Sequence, residues 1–455
     1  VIPGHEDLWF LPLGGTGEIG MNLNLYGHDE RWLMVDCGIT FARDGEPGPR
    51  VQMPDPRFIE ERRDSLSALL ITHAHQDHVG AVAYLWPRLR CPVYATAFTL
   101  ALLRPKLARA GLLEQVPLFE VAAGHRHRID GFDIEWLPIT HSTPESQALV
   151  IRTPVGCVLH TGDWKLDPEP VVGPAYRALD FQKLAHENLL AMVCDSTNAT
   201  VPGRSISEGA LFDGLYKAIA GASGRVVVGC FGSNIARLAT LASVANACGR
   251  YPALLGRSLR DYYAAACSAR VWPADLRYVA AEDLGYLPAR EVLAVATGSQ
   301  GEPGAALDRL AGDRHPAFGL EAGDTVVLSS RVIPGNERQV EQIVERLREL
   351  GVQVIQDVDG LSPIHASGHP PQGELMDLYR WVAPRTAIPV HGEPKHLEAH
   401  AAVARQAGVG RRMVGRNGDL YMLAPQRAIR RQAVTVGRLG VEREQLVSVP
   451  MAATD

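Results

Sequence analysis

The chain has 455 residues, 46% of them hydrophobic and 21% charged, with a formal net charge of −6. At about 150 residues per domain, this length predicts roughly three domains or two large ones, enough to bury a substantial core. The balance is that of a globular rather than a disordered protein, the acidic excess argues mildly against indiscriminate polyanion binding, and no apolar run reaches the roughly 18 residues that span a bilayer. No signal peptide is expected at the start, and Val1 in place of a methionine is expected to reflect trimming or a cut boundary. The seven cysteines (Cys37, Cys91, Cys157, Cys194, Cys230, Cys248 and Cys267) form no C-x-x-C and lie mostly in apolar runs. They are expected to be reduced core residues of a cytoplasmic protein, not metal ligands.

In chain order, strands are expected at residues 8–11, 23–26, 32–36, 68–72, 93–95, 132–137, 148–152 and 157–161. Several are joined by turn-rich pieces, which suits stacked sheets better than a strictly alternating parallel one. From about residue 190 the pattern changes. Short apolar runs at 189–194, 225–230, 253–255, 292–296, 325–329 and 352–356 alternate with helical stretches at 208–220, 234–248 and 337–350. That is the signature of parallel βαβ units. A last strand at 386–390 leads into a helix at 395–407. Arg257, Arg260 and Arg270 read as solvated helix faces. With no internal repeat, low-complexity tract or long linker, one domain inserted into another fits better than a string of domains.

The chemistry concentrates in Thr72-His73-Ala74-His75-Gln76-Asp77-His78, which follows the apolar run Ala68-Leu69-Leu70-Ile71 and leads into a helical stretch at 79–86. In an extended chain His73 and His75 point the same way, while Asp77 and His78 can turn toward a second centre. Imidazoles suit zinc, and an added carboxylate suits a hydrolytic dinuclear site. His141, Asp163 and His391 each lie at the C-terminal end of an expected strand, where α/β sheets place their sites. Together these residues supply seven ligands, the number that two ions sharing a bridging carboxylate would use. His125 and His127 are also spaced H-x-H, but sit among Arg126, Arg128 and Asp130 and read as surface residues of a polar turn.

The order Gly14-Gly15…Glu18-Ile19-Gly20, Asp36, His-x-His-x-Asp-His, His141, Asp163 and a distant His391 resembles the metallo-β-lactamase superfamily. Narrower phrases resemble its β-CASP nucleases, and within them the bacterial ribonuclease J family. These are Thr161-Gly162-Asp163-Trp164-Lys165, Asp195-Ser196-Thr197-Asn198, Thr297-Gly298-Ser299-Gln300-Gly301-Glu302-Pro303, Ser329-Ser330-Arg331-Val332-Ile333-Pro334-Gly335-Asn336-Glu337, Ser367-Gly368-His369 and Pro389-Val390-His391-Gly392-Glu393. The resemblance implies an α/β architecture, an αββα sandwich at 1–185 completed by 356–425. A β-CASP domain with a parallel sheet flanked by helices would be inserted at 186–355, and 426–455 would form a tail or the start of a further domain.

The resemblance also implies roles. One ion would take His73, His75 and His141, the other Asp77, His78 and His391, with Asp163 bridging and Asp77 counted among the catalytic groups as well. Asp36 would hold a ligand histidine in its tautomer. His369 would be the general acid, and Asp195 would orient it or another active-site group. Ser233, Asn234, and the segment carrying His365, Ser367 and Gly368 would contact RNA phosphates. Ser233 and Asn234 also suit an ordinary helix N-terminus. The implied activity uses two zinc ions, or manganese as the working ion, on single-stranded RNA. It would proceed 5′→3′ from 5′-monophosphorylated ends with some endonuclease action. The alternatives are a β-CASP nuclease acting on DNA, or a weakly catalytic RNA-binding subunit of a degradation complex. The family's usual homodimer or homotetramer is expected, although the C-terminal stretch here is shorter than in most of its members.

Overall fold

Along strand Arg31–Val35, Trp32 and Met34 enter one apolar core while Leu33 and Val35 enter another. Strand Gln147–Thr153 divides likewise, with Leu149 and Ile151 on one side and Ala148 and Val150 on the other. Period-two alternation with both faces apolar means that each sheet is buried on both sides. The computed structural model, which describes residues 1–42, 45–333, 335–356 and 362–450, builds such sheets. Pro334 of the phrases quoted above and residues 451–455 of the C-terminal stretch lie outside the described residues.

An eight-stranded sheet runs in the order Ala428–Arg430, Leu420–Ala424, Leu8–Gly14, Leu23–His28, Arg31–Val35, Leu66–Leu70, Val93–Ala95, Leu118–Glu120. A seven-stranded sheet runs Arg411–Arg412, Thr386–Val390, Leu189–Asp195, Gly156–His160, Gln147–Thr153, Phe132–Pro138, Arg126–Ile129. Phe10, Tyr26, Leu70, Trp136, Val158 and Ile388 form part of the core between them. Helices Val82–Leu89 and Ala97–Arg109 cover the outer face of the first sheet, and Gln372–Val382 and Pro394–Gln406 that of the second. This is the αββα sandwich of a metallo-β-lactamase domain.

The inserted domain holds a five-stranded sheet in the order Tyr251–Leu255, Val292–Ala296, Val226–Gly229, Thr325–Leu328, Gln353–Gln356, with every pairing parallel. Helices Leu211–Ala220, Ile235–Ala247 and Arg257–Ser268 pack on one face, and Ala306–Ala311 and Glu337–Glu349 on the other. Among the described residues no helix is long and apolar enough to cross a membrane.

Several expectations are corrected. The run at 189–194, read as the first βαβ strand, is strand Leu189–Asp195 of the sandwich, pairing in parallel with Gly156–His160 and Thr386–Val390. A strand buried on both faces reads the same in either kind of sheet. The helix expected at 79–86 is two short helices, Gln76–Val79 and Val82–Leu89, with Gly80 ending the first. His127 lies not in a turn but in edge strand Arg126–Ile129, half-buried with its ring 5.2 Å from that of Trp136; the turn follows at Asp130 and Gly131. In the stretch after 425, read as a tail or the start of a further domain, Ala428–Arg430 extends the eight-stranded sheet and Arg438–Glu442 pairs with Val51–Pro54. All seven cysteines are free thiols and five are buried, but Cys248 is only partly buried and Cys267 is exposed. Arg257, Arg260 and Arg270 face solvent as expected.

Candidate metal centre

Strand Leu66–Leu70 delivers His73 and His75, and the helix Gln76–Val79 that follows them, to the C-terminal edge of the sandwich, and three other segments converge there. His73 Nε2 stands 3.2 Å from His75 Nδ1, which stands 3.0 Å from His141 Nε2. Asp163 reaches toward both halves of the cluster. Its Oδ2 lies 3.9 Å from His73 Nε2 and 3.1 Å from His78 Nε2, and its Oδ1 lies 3.0 Å from His391 Nδ1. Asp77 Oδ2 completes the second half, 3.2 Å from His391 Nε2 and 3.6 Å from His78 Nε2. Two groups of four thus share Asp163, His73–His75–His141 on one side and Asp77–His78–His391 on the other.

These spacings fit metal ligation. Atoms at tetrahedral corners about 2.0–2.1 Å from a zinc ion stand roughly 3.3 Å apart. The charges fit too. Burial and neighbouring imidazoles hold His73 and His141 well below the usual histidine range, and burial lowers His75 to about 4, so all three present neutral nitrogens. In the second group burial opposes charge on His78 and His391, yet the carboxylates, Asp163 foremost, hold both well above the ordinary value. That half of the site calls for positive charge, which a divalent cation supplies.

The surroundings fix which nitrogen each ring presents. Asp36 Oδ2 accepts from His78 Nδ1 at 2.7 Å, while Asp36 Oδ1 accepts from the Thr72 backbone N–H at 2.8 Å. Thr72 Oγ1 lies 3.0 Å from His73 Nδ1. The Gly368 carbonyl accepts from His141 Nδ1 at 2.6 Å, and a Cβ on Gly368 would stand 2.8 Å from the His141 ring. Gly38 has the same character, since a Cβ there would fall 1.7 Å from the Asp77 carbonyl oxygen. Tyr262, on a helix of the inserted domain, donates to the Ala74 carbonyl at 3.0 Å, and Ala74 packs in that domain's core. Thr72, Gly38 and Tyr262 went unmarked by sequence reasoning. Two act on or approach the backbone, which no motif records, and Thr72 reads as the end of a strand.

Beside the centre, His369 Nδ1 lies 2.7 Å from Asp195 Oδ2. Asp195 Oδ1 accepts from the Thr197 N–H at 2.8 Å and its hydroxyl at 2.7 Å. Burial opposes charge on His369, but Asp195 outweighs it and raises the histidine's pKa, and the side chain keeps 23% exposure.

A cleft of about 530 Å³ opens next to this pair, lined in part by Asn198, Ser330, Arg331, His365 and Ser367. Burial, with the Arg237 charge, lowers the His365 ring to about 3. Ser367 Oγ accepts from Asn198 Nδ2 at 2.8 Å. Ser233 and Asn234 lie outside the cleft's lining. Asn234 caps helix Ile235–Ala247, accepting from Arg237 N at 2.9 Å, and its amide nitrogen donates to Glu208 at 3.1 Å.

Three family matches cover this architecture in succession: the metallo-beta-lactamase superfamily at residues 20–204, the ribonuclease J beta-CASP domain at 223–347, and the Zn-dependent metallo-hydrolase RNA specificity domain at 359–413. Over 424 residues the chain is 44% identical to ribonuclease J of Sinorhizobium meliloti, covering 92% of this chain and 75% of that one. The chain belongs to the ribonuclease J family. Ribonuclease J of Mycolicibacterium smegmatis is 38% identical over 436 residues, covering 94% of this chain and 77% of its own. A crystal structure of a protein of unknown function from Enterococcus faecalis superposes with a TM-score of 0.64 at 15% identity, covering 91% of this chain and all of that one. That likeness concerns the fold alone, which this ribonuclease J family member therefore shares with a chain of very different sequence.

Proposed function

We propose that this chain is a metal-dependent ribonuclease that hydrolyses RNA phosphodiester bonds, working 5′→3′ from 5′-monophosphorylated ends with some endonuclease action. The observation that carries the reading is the pair of four-residue groups meeting at Asp163, with His369–Asp195 alongside. His73, His75 and His141 would hold one ion, and Asp77, His78 and His391 the other, with Asp163 shared. Zinc suits this donor set and manganese is accommodated by it. When bound, such a pair activates water as a nucleophile and neutralises charge on the phosphoryl group.

The chain's own residues supply the rest. Asp36 and the Gly368 carbonyl hold His78 and His141 in the tautomers that leave Nε2 free. The leaving 3′-oxygen needs a proton, and His369 carries one on Nε2 while Nδ1–H is held by Asp195. The carboxylate raises that imidazole's pKa above the ordinary histidine value, which favours the protonated form that the role requires. The cleft beside Ser367 suits the 5′-terminal phosphate, with Arg331 as counter-charge and His365 and Ser367 as hydrogen-bonding groups.

The test is digestion of matched RNA and DNA strands bearing 5′-monophosphate, 5′-triphosphate or 5′-hydroxyl ends. RNA with a 5′-monophosphate should be degraded fastest, releasing mononucleotides from the 5′ end. Faster loss of DNA would overturn the substrate while leaving the metal chemistry standing.

A further inference from the structure

Although the chain as a whole is acidic, residues 411–431 carry six arginines (Arg411, Arg412, Arg416, Arg427, Arg430 and Arg431) against one carboxylate, Asp419. Asp419 is buried and pairs with Arg431 at 2.7 Å, so it neutralises a single cation. Among the described residues Arg411, Arg416 and Arg430 form no ion pair, and all three are exposed.

The fold gathers these side chains on one side of the molecule. Strand Arg411–Arg412 ends the seven-stranded sheet and Ala428–Arg430 ends the eight-stranded sheet. Those two ends coincide, because Met413, Tyr421 and Ile429 join the same inter-sheet core. At the opposite side the sheets are also in step, with the rings of Tyr94 and His127 6.0 Å apart.

This edge starts at the metal centre. The His391 N–H donates to the Gly15 carbonyl at 2.6 Å, Thr16 bridges to Gly392, and Thr16 and Asn417 exchange hydrogen bonds of 2.9 and 3.1 Å. Arg416 is therefore one residue from a segment tied directly to ligand His391. A surface hollow lined by Pro394, Arg416, Asp419 and Arg431 continues from there. The cleft proposed for the 5′ phosphate is lined by other residues, Ser367 among them, next to the Gly368 that touches His141.

From this placement we infer that the arginine edge is a binding track for RNA, taking the phosphates of the strand downstream of the scissile bond after they pass His391. The inference rests on the ribonuclease reading. An exposed row of cations with a buried counter-charge supplies sequence-independent affinity for a polyanion. Guanidinium groups also hold phosphate oxygens in pairs.

The test compares the chain with its Arg411→Ala/Arg416→Ala/Arg430→Ala variant on 5′-monophosphorylated RNA of two lengths, one just reaching the metal centre and one several times longer. For the long strand, KM should rise roughly tenfold with kcat unchanged, and the salt dependence of binding should flatten by about 0.7 for each phosphate no longer neutralised. For the short strand both constants should stay as they are. Equal KM values and equal salt slopes on the long strand would overturn the track and point to a protein partner for this edge. If the unaltered chain cleaved neither RNA, the ribonuclease reading itself would fail, an outcome distinct from loss of the length effect.

Discussion

His369 shows how one residue's environment sets its chemistry. Its imidazole is packed where burial alone would discharge it, and the Asp195 carboxylate 2.7 Å away reverses that preference. Stabilisation from a histidine raised in this way is complete below the ordinary histidine pKa. It is lost as pH rises through the raised folded-state value. The same deprotonation removes the proton that the leaving oxygen requires, so the alkaline limb of kcat should follow this group. Asp195→Asn should move that limb to lower pH, and His369→Ala should lower kcat by about 10²–10⁴-fold with little change in KM. A pH–rate profile of the two variants checks both, and an unmoved alkaline limb in Asp195→Asn would remove His369 from the role.

At the same scale, the four H-x-H-x-D-H residues that meet in the cluster were legible because they fall within six positions at the end of an apolar strand. Asp36 was legible as a tautomer-fixing group, and the structure sets it on His78. Gly368 was marked for a phosphate, and the structure adds that its carbonyl holds His141. A backbone oxygen has no residue type, so its partner emerges only from the fold. Asn234 was read as either a phosphate contact or a cap. Its oxygen caps the helix, and its amide nitrogen donates to Glu208, 26 positions away, a partner that the sequence does not mark.

At the level of elements, the inserted domain helps to build the centre it overhangs. Helix Arg257–Ser268 packs against Ala97–Arg109, and from it Tyr262 donates to the carbonyl between His73 and His75. Gln76 in turn donates to the Tyr262 oxygen at 3.3 Å and accepts from Lys106. Tyr262→Phe keeps the ring in its pocket and removes one hydrogen bond, worth about 0.5–1.5 kcal/mol. It should weaken metal retention several-fold in competition with a chelator, beyond the small fall in thermal unfolding of the metal-depleted chain that the lost hydrogen bond itself predicts.

A second inter-element tie lies beneath the cleft. Arg237 is buried with Glu208 at 3.1 Å and also donates to the Ser329 carbonyl at 2.9 Å and that of Ile364 at 3.3 Å, joining the segments that carry Ser330 and His365. Glu208→Ala would leave the guanidinium buried without its counter-charge, at a cost of about 3–5 kcal/mol. A fall in the urea midpoint of the inserted domain would register it. Neither tie was visible beforehand, because each joins residues far apart in sequence whose types are common in helices.

Over the whole molecule, the two architectures were readable from pattern, stacked sheets first and parallel βαβ units after. The point of changeover was not, because Leu189–Asp195 is apolar on both faces and suits either sheet. The final segment was also underestimated. A strand of three residues such as Ala428–Arg430 carries little pattern of its own and forms because an edge is there to receive it. The central proposal, that seven side chains from separated segments make one two-ion hydrolytic centre for RNA, is tested most directly by metal depletion and repletion. The chain is stripped of metal, and zinc or manganese is titrated back while cleavage of 5′-monophosphorylated RNA is followed. Activity should return only as about two ions bind per chain, and Asp163→Ala should abolish both uptake of the pair and cleavage. Undiminished RNA cleavage by the metal-free chain, or by Asp163→Ala, would contradict it.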